Sequence, residues 1–350
     1  MSKFNSAILI AAWLVFPGLV QASIVPSVVI QESILSPGNA VQMRYSHQYG
    51  LLFLRNSASA IHVLDVNTGV PIDLHLANER FTDIDISPDG RYLFAADFGG
   101  EQTGYGNPLR PSYVQRYDMV TRTWESRTAP RIAYRIEAVS SDRVLLLESD
   151  QWVDVTLNQW NSSSMTELSR RAADYYGDME YHPATGRMLH GNSGSSSREI
   201  NAFRIVSNSI ISAESSGTYG SAQNGGGTSV LSTDGQRFYY GRLQVEALDV
   251  TNNIRMFPEA IYSATGEVAF GQNNYFSAVT GMNLGTLGYS ATALAPSDDG
   301  RHLWVFRQSD NTLNRYLIVP EPSSLLILCF GALAVTNRRR GRMIVHKAGQ

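Results

Sequence analysis

The sequence predicts an all-β protein, a β-propeller of seven four-stranded blades, and three features carry the prediction. Short segments alternate apolar with polar residues or run wholly apolar, the patterns of half-buried and fully buried strands. Between them lie tight turns written in Ser, Pro, Asp and Gly, residues that fix or tolerate turn dihedrals. The strand–turn–strand unit recurs at a spacing of about 40 residues, the size of one blade. Composition agrees: 29 glycines, 17 tyrosines and only 17% charged residues in 350 suit many short strands joined by tight turns. No stretch has the apolar period of a long amphipathic helix.

The chain opens with Met1-Ser2-Lys3, an apolar run over 7–20, and Val20-Gln21-Ala22, with small residues where a signal peptidase reads. Residues 1–22 are therefore expected to be a signal peptide cut between Ala22 and Ser23; an uncleaved N-terminal anchor is the alternative. No cysteine follows the cut, which argues against lipoprotein attachment. Residues 24–30 form a free apolar strand, expected to pair with the last blade and close the ring so that no sheet edge is left open.

The expected propeller spans 23–318, and its clearest copy begins at Phe81-Thr82-Asp83-Ile84-Asp85-Ile86, an alternating strand. Ser87-Pro88-Asp89-Gly90 makes the turn, proline supplying a fixed φ and glycine a positive one. Arg91-Tyr92-Leu93-Phe94-Ala95-Ala96 returns, and a second hairpin leads through Thr121 to Trp124. Degraded copies of the turn stand at Ser140-Ser141-Asp142, His182-Pro183-Ala184-Thr185-Gly186, Ser232-Thr233-Asp234-Gly235 and Ser297-Asp298-Asp299-Gly300, with outer hairpins at 61–69 and 245–253. The blades fall near 41–75, 81–128, 131–162, 177–214, 225–262, 266–288 and 290–318. The sixth is short and poorly marked, which leaves six or eight blades open. The Ser-Pro-Asp-Gly turn and the Val-Leu-Asp-Val-Asn-Thr-Gly hairpin at 63–69 resemble YVTN-type surface-layer propellers, a branch of the WD40-like superfamily; the resemblance implies architecture only.

The chain ends in Val319-Pro320-Glu321-Pro322, an apolar run over 325–336, and Asn337-Arg338-Arg339-Arg340-Gly341-Arg342. Arginines after an apolar run stay on the cytoplasmic side. The run is shorter than the roughly 20 residues a comfortable transmembrane helix needs, so it suits a temporary inner-membrane anchor. The Pro-Glu-Pro, apolar and arginine parts, in this order, closely resemble the PEP-CTERM sorting signal of Gram-negative bacteria. The resemblance implies that 319–350 is a sorting signal with a short hydrophobic transmembrane helix, recognised at Pro320, Glu321, Pro322, Arg338, Arg339 and Arg340 and removed by an exosortase-type membrane peptidase. It implies a secreted protein of the cell surface or extracellular matrix. A plain tail anchor is the alternative, and the tail from Met343 to Gln350 runs on further than such signals usually do.

The net charge of −3, without a basic patch outside the termini, gives no footing for a nucleic-acid partner. The only cysteine, Cys329, lies in the apolar run, so the exported body has no disulfide. No Gly-x-Ser-x-Gly elbow, P-loop or His-Glu-x-x-His occurs. Alternation puts Asp178, Glu180 and His182 on one side of a strand, with Asp83 and Asp85 in the matching part of an earlier copy and Glu137 and Glu267 near inner-strand starts. Inner strands line a propeller's channel, so these acids are candidates for a divalent-cation or sugar-lactone site, with Asp83, Asp85, Asp178 and Glu180 the candidate ligands. Against this, the same residues read as channel-lining groups satisfied by backbone and water, and His182 as a solvated turn residue. Exposed Tyr105, Tyr113 and Tyr219 offer stacking faces for sugar rings. Two functions follow: a non-enzymatic surface or matrix propeller that binds a polysaccharide or a surface protein and needs no cofactor, or a metal-assisted propeller hydrolase or lactonase. The lack of a repeated Asp/Glu/Asn/His constellation favours the first.

Overall fold

Runs such as Leu51-Leu52-Phe53-Leu54 are apolar throughout because both faces of each middle strand are covered by a neighbouring blade. The computed structural model describes residues 26–319 except 58, 103–106, 150–152, 174–176, 194–198 and 217–227. These form seven four-stranded antiparallel sheets and one two-stranded hairpin, with no helix among the described residues.

The innermost strands, in blade order 1 to 7, are Gln42–Ser46, Phe81–Ile86, Arg135–Ala138, Gly177–His182, Ser229–Leu231, Ser263–Ala264 and Ala291–Pro296. Each touches the next, and the seventh touches the first, so the ring is closed around a central channel. The two faces of a strand serve different interfaces, since successive side chains point oppositely. Leu51 and Phe53 pack against Leu93 and Tyr117 of blade 2, while Leu52 and Leu54 pack against Trp304 and Phe306 of blade 7. Seven apolar clusters fill the seven interfaces.

Ring closure comes from the N-terminus. Strand Ser27–Leu35 is the outer strand of blade 7, antiparallel to Thr312–Val319, with register from Ser27↔Val319 to Leu35↔Thr312. It runs further than the sequence suggested, to Leu35, and residues 24–25 of the expected strand lie outside the described residues. A bulge between Ile30 and Glu32 flips its side-chain parity. Val28 therefore packs into the interface with blade 6 and Ile34 into the interface with blade 1. Beyond the strand, the Ser36 amide donates to Asn311 O at 2.8 Å and Asn311 Nδ2 to Ser36 O at 2.9 Å.

The recurring turn letters have one explanation. In Ser87-Pro88-Asp89-Gly90 the Ser87 hydroxyl donates to Asp89 Oδ1 at 2.6 Å and accepts from the Tyr92 amide at 2.9 Å. Ser232 with Asp234, and Ser297 with Asp299, repeat the arrangement. Gly235 closes its turn at φ 69°. A Cβ there would lie 2.8 Å from Cε1 of His182 in the preceding blade, so the position needs glycine for both dihedral and space.

Three boundaries differ from the sequence reading. The outer strand of blade 3 is Met165–Ala172, beyond the expected end at 162. The inner strand of blade 6 is only Ser263–Ala264, which the sequence reading leaves between blades 5 and 6. The outer hairpin expected at 245–253 is the pair Leu243–Glu246 and Asn253–Met256. Ala22, Ser23, Pro320, Glu321, Pro322, Arg338, Arg339, Arg340, the apolar runs, Tyr105 and Tyr219 lie outside the described residues. No helix among the described residues is long and apolar enough to cross a membrane.

Candidate functional site

The innermost strand of a propeller blade has one edge without a strand partner, and its N–H groups need acceptors. Here the preceding blade supplies them as carboxylates. Asp83 Oδ2 accepts from the Ile136 amide at 3.0 Å, and Asp85 Oδ2 from the Ala138 amide at 2.9 Å, both across the interface from blade 2 to blade 3. Glu137 Oε2 accepts from the Tyr181 amide of blade 4 at 3.1 Å, and Asp178 Oδ2 from the Ser229 amide of blade 5 at 2.8 Å. The same pattern repeats over three successive interfaces. The alternation that puts Asp83 and Asp85 two residues apart matches the two-residue spacing of the N–H groups they meet.

Cations from blades 1 and 3 answer these charges. Arg44 Nε donates to Asp85 Oδ1 at 3.2 Å, and Arg135 Nε lies 3.5 Å from Asp178 Oδ1. Gln42 donates through Nε2 to Asp83 Oδ1 at 2.5 Å, and its Oε1 accepts from Arg55 Nε at 2.8 Å. These residues line a channel cavity of 580 Å³, whose other wall, from blades 5 to 7, carries Thr228, Ser229, Ser263 and Thr292. Most of the charge thus stands on one side of the cavity, and the other carries hydroxyls with the carboxylate of Asp298.

Burial dominates the electrostatics. It raises the carboxyls of Glu137 and Glu180 well above the ordinary range; Asp85 adds to the effect on Glu137, while Arg44 opposes it on Glu180. Burial likewise raises Asp178 to about 6 against the pull of Arg135, and raises Asp85 against Arg44. It pushes Arg55 down to about 10, against the attraction of Asp83. Arg44 and Arg135 are shifted up, because the surrounding carboxylates outweigh their desolvation.

A stability prediction follows from Glu180. Its folded-state pKa lies above the unfolded value of 4.5, so the native carboxyl keeps a proton that the unfolded chain has released. Stability from this group is full at acid pH and falls as pH rises through that window. Glu180→Gln is therefore expected to match the parent near pH 4 and to melt above it at pH 8. The gap should be about 2–4 °C for each kcal/mol of burial cost relieved. Paired thermal melts from pH 4 to 8 check this; a gap that shrinks with pH contradicts it.

The structure brings together Asp83, Asp85, Glu137, Asp178 and Glu180, but not every acid the sequence singled out. Glu267 sits exposed in the turn after Ser263–Ala264, outside the channel lining. His182 is a correction: it is 7% exposed rather than solvated, because the Gly235 turn of blade 5 covers its ring. Among the described residues no group of three or more His, Cys, Asp or Glu is arranged to hold a metal ion. Gln42, Arg44, Arg55 and Arg135 escaped the sequence reading. Their partners lie 13 to 53 residues away, on other strands and usually other blades.

Comparison with known proteins supports the architecture and one end of the chain. The β-propeller domain of Cps50 (Swd1) from Myceliophteria thermophila superposes with a TM-score of 0.59 at 15% identity, covering 84% of this chain and 100% of that one. At that identity the likeness concerns the fold alone. No curated protein matches the chain. Residues 319–340 match the PEP-CTERM protein-sorting motif, so this seven-bladed β-propeller carries, directly after its last strand, the signal by which exosortase, a membrane protease, processes exported proteins.

Proposed function

We propose that the protein is an exported propeller, cut by signal peptidase between Ala22 and Ser23 and by exosortase at the Pro320-Glu321-Pro322 signal, that serves at the outer surface or in the matrix of a Gram-negative cell as a binding or structural module. The observation that carries this reading is the junction itself. The motif begins at Val319, the last residue of the closing blade, so removing everything beyond it leaves all seven sheets whole. The ligand belongs to the class of polysaccharides or surface proteins, met through loops held by the rigid ring.

The hydrolase reading draws no support from the channel. Asp83, Asp85 and Asp178 each give one oxygen to a backbone amide of the next blade while the other faces Gln42, Arg44 or Arg135, so a cation would have to displace those side chains.

Changing Pro320, Glu321 and Pro322 together to alanine is expected to leave an unprocessed form in the inner-membrane fraction while the parent reaches the surface. Fractionation with immunoblotting in the native host reads this directly. Normal surface delivery of the variant would remove the sorting signal from the account.

A further inference from the structure

The outer strands of the blades are not alike. Those of blades 7 and 1 each expose three large apolar side chains: Val29, Ile30 and Leu35 on Ser27–Leu35, and Val70, Leu74 and Leu76 on Val70–Leu76. Among the described residues no other outer strand exposes more than one, and those of blades 2, 3 and 6 expose none. The two strands are neighbours, with Ile34 Cγ2 3.7 Å from where a Cβ on Gly69 would sit, just before Val70. Leu35 is 76% exposed and Leu76 64%. Neither strand carries a lysine or arginine; of their two acids, Asp73 accepts from Trp124 Nε1 at 2.8 Å and Glu32 lies 3.9 Å from Arg315. Successive side chains point oppositely, so these apolar residues stand on both faces of the two strands; together they make an apolar stretch of the rim, and such a stretch marks a contact surface.

The chain itself indicates what covers the wall. Val319, also exposed, ends the strand beside Ser27, and only residues 320–324 separate it from the apolar run that starts at Leu325. Fully extended, five residues reach about 17 Å. While the apolar run is in the bilayer, blade 7 is therefore held close to the lipid surface, and the apolar wall belongs to that blade and the next.

We propose that the rim formed by blades 7 and 1 docks on the bilayer surface before processing. Contact is by apolar side chains and not by lipid charge. The inference rests on the sorting segment entering the membrane, and the test separates the two.

The test uses the full chain with Cys329→Ser and one new cysteine, either Ser33→Cys on blade 7 or Ala172→Cys on blade 3, both exposed. Each is labelled with a fluorophore and reconstituted in phosphatidylethanolamine–phosphatidylglycerol vesicles containing headgroup spin-labelled lipid. The expected result is co-flotation of both chains, with quenching at Ser33→Cys and none at Ala172→Cys. Adding Val29→Ser, Leu35→Ser and Leu76→Ser should abolish that quenching while flotation persists; the contrast between the two labels stands even if the triple variant folds poorly. Flotation with equal quenching at both sites, or with none, overturns the docking and spares the anchor. Disulfide-linked pairs formed by the unlabelled Ser33→Cys chain would give the wall to a second copy and overturn it too. Loss of flotation overturns both.

Discussion

Deleting residues 23–35 is expected to leave a body that aggregates, or melts far below its parent. The loss is larger than one exposed strand suggests. Without Ser27–Leu35, strand Thr312–Val319 becomes an open edge along its whole length, a template for pairing with other chains. Val28 and Ile34 also leave two different interfaces, so blade 7 loosens against blades 6 and 1 together. Because the only cysteine lies at 329, no disulfide substitutes for the missing strand. Size-exclusion chromatography and a thermal melt check the outcome, with reducing agent expected to change neither. A monomeric deletion variant of parental stability would mean that the ring is held by blade packing alone.

Asp83→Ala should have the largest effect of any single change in the channel. Asp83 is 3% exposed and accepts from the amides of Ile136 and Ile84 and from the side chain of Gln42. Alanine strands those donors, each buried unpaired group costing about 1–3 kcal/mol, and removes the negative charge that does most to hold Arg55 ionised. A loss of about 3 kcal/mol or more in urea unfolding is expected, against a smaller loss for Asp83→Asn, which keeps one acceptor oxygen. Glu180 has no such duties and behaves oppositely, as its neutral replacement is expected to stabilise at pH 8. A channel tuned for a ligand by all its acids would not divide in this way.

That division marks the limit of what the sequence discloses. The blades were legible because their signals are local: Ser87 and Asp89 make one turn by themselves, and Leu93-Phe94-Ala95-Ala96 reads as a doubly covered strand without knowing its neighbours. Blade 6 was faint for the same reason. Its inner strand is two residues long, and its turn is Thr265-Gly266-Glu267, where the Thr265 hydroxyl accepts from the amides of Glu267 and Val268 with no aspartate to help. The outer strand of blade 3 was cut short because Glu167, Arg170 and Arg171 face solvent and blur the apolar pattern. In the channel, residue type alone announced the acids. Their role came from the amides 44 to 53 residues further on, a relation no local pattern holds.

The central claim is that this chain is a propeller delivered to the surface by removal of its own C-terminal signal, and the intact mass of the surface-exposed protein from its native host tests it most directly. The account predicts a species beginning at Ser23 and lacking residues 325–350, with all strands from Ser27 to Val319 retained. A surface-exposed species whose mass includes Gln350 would contradict it.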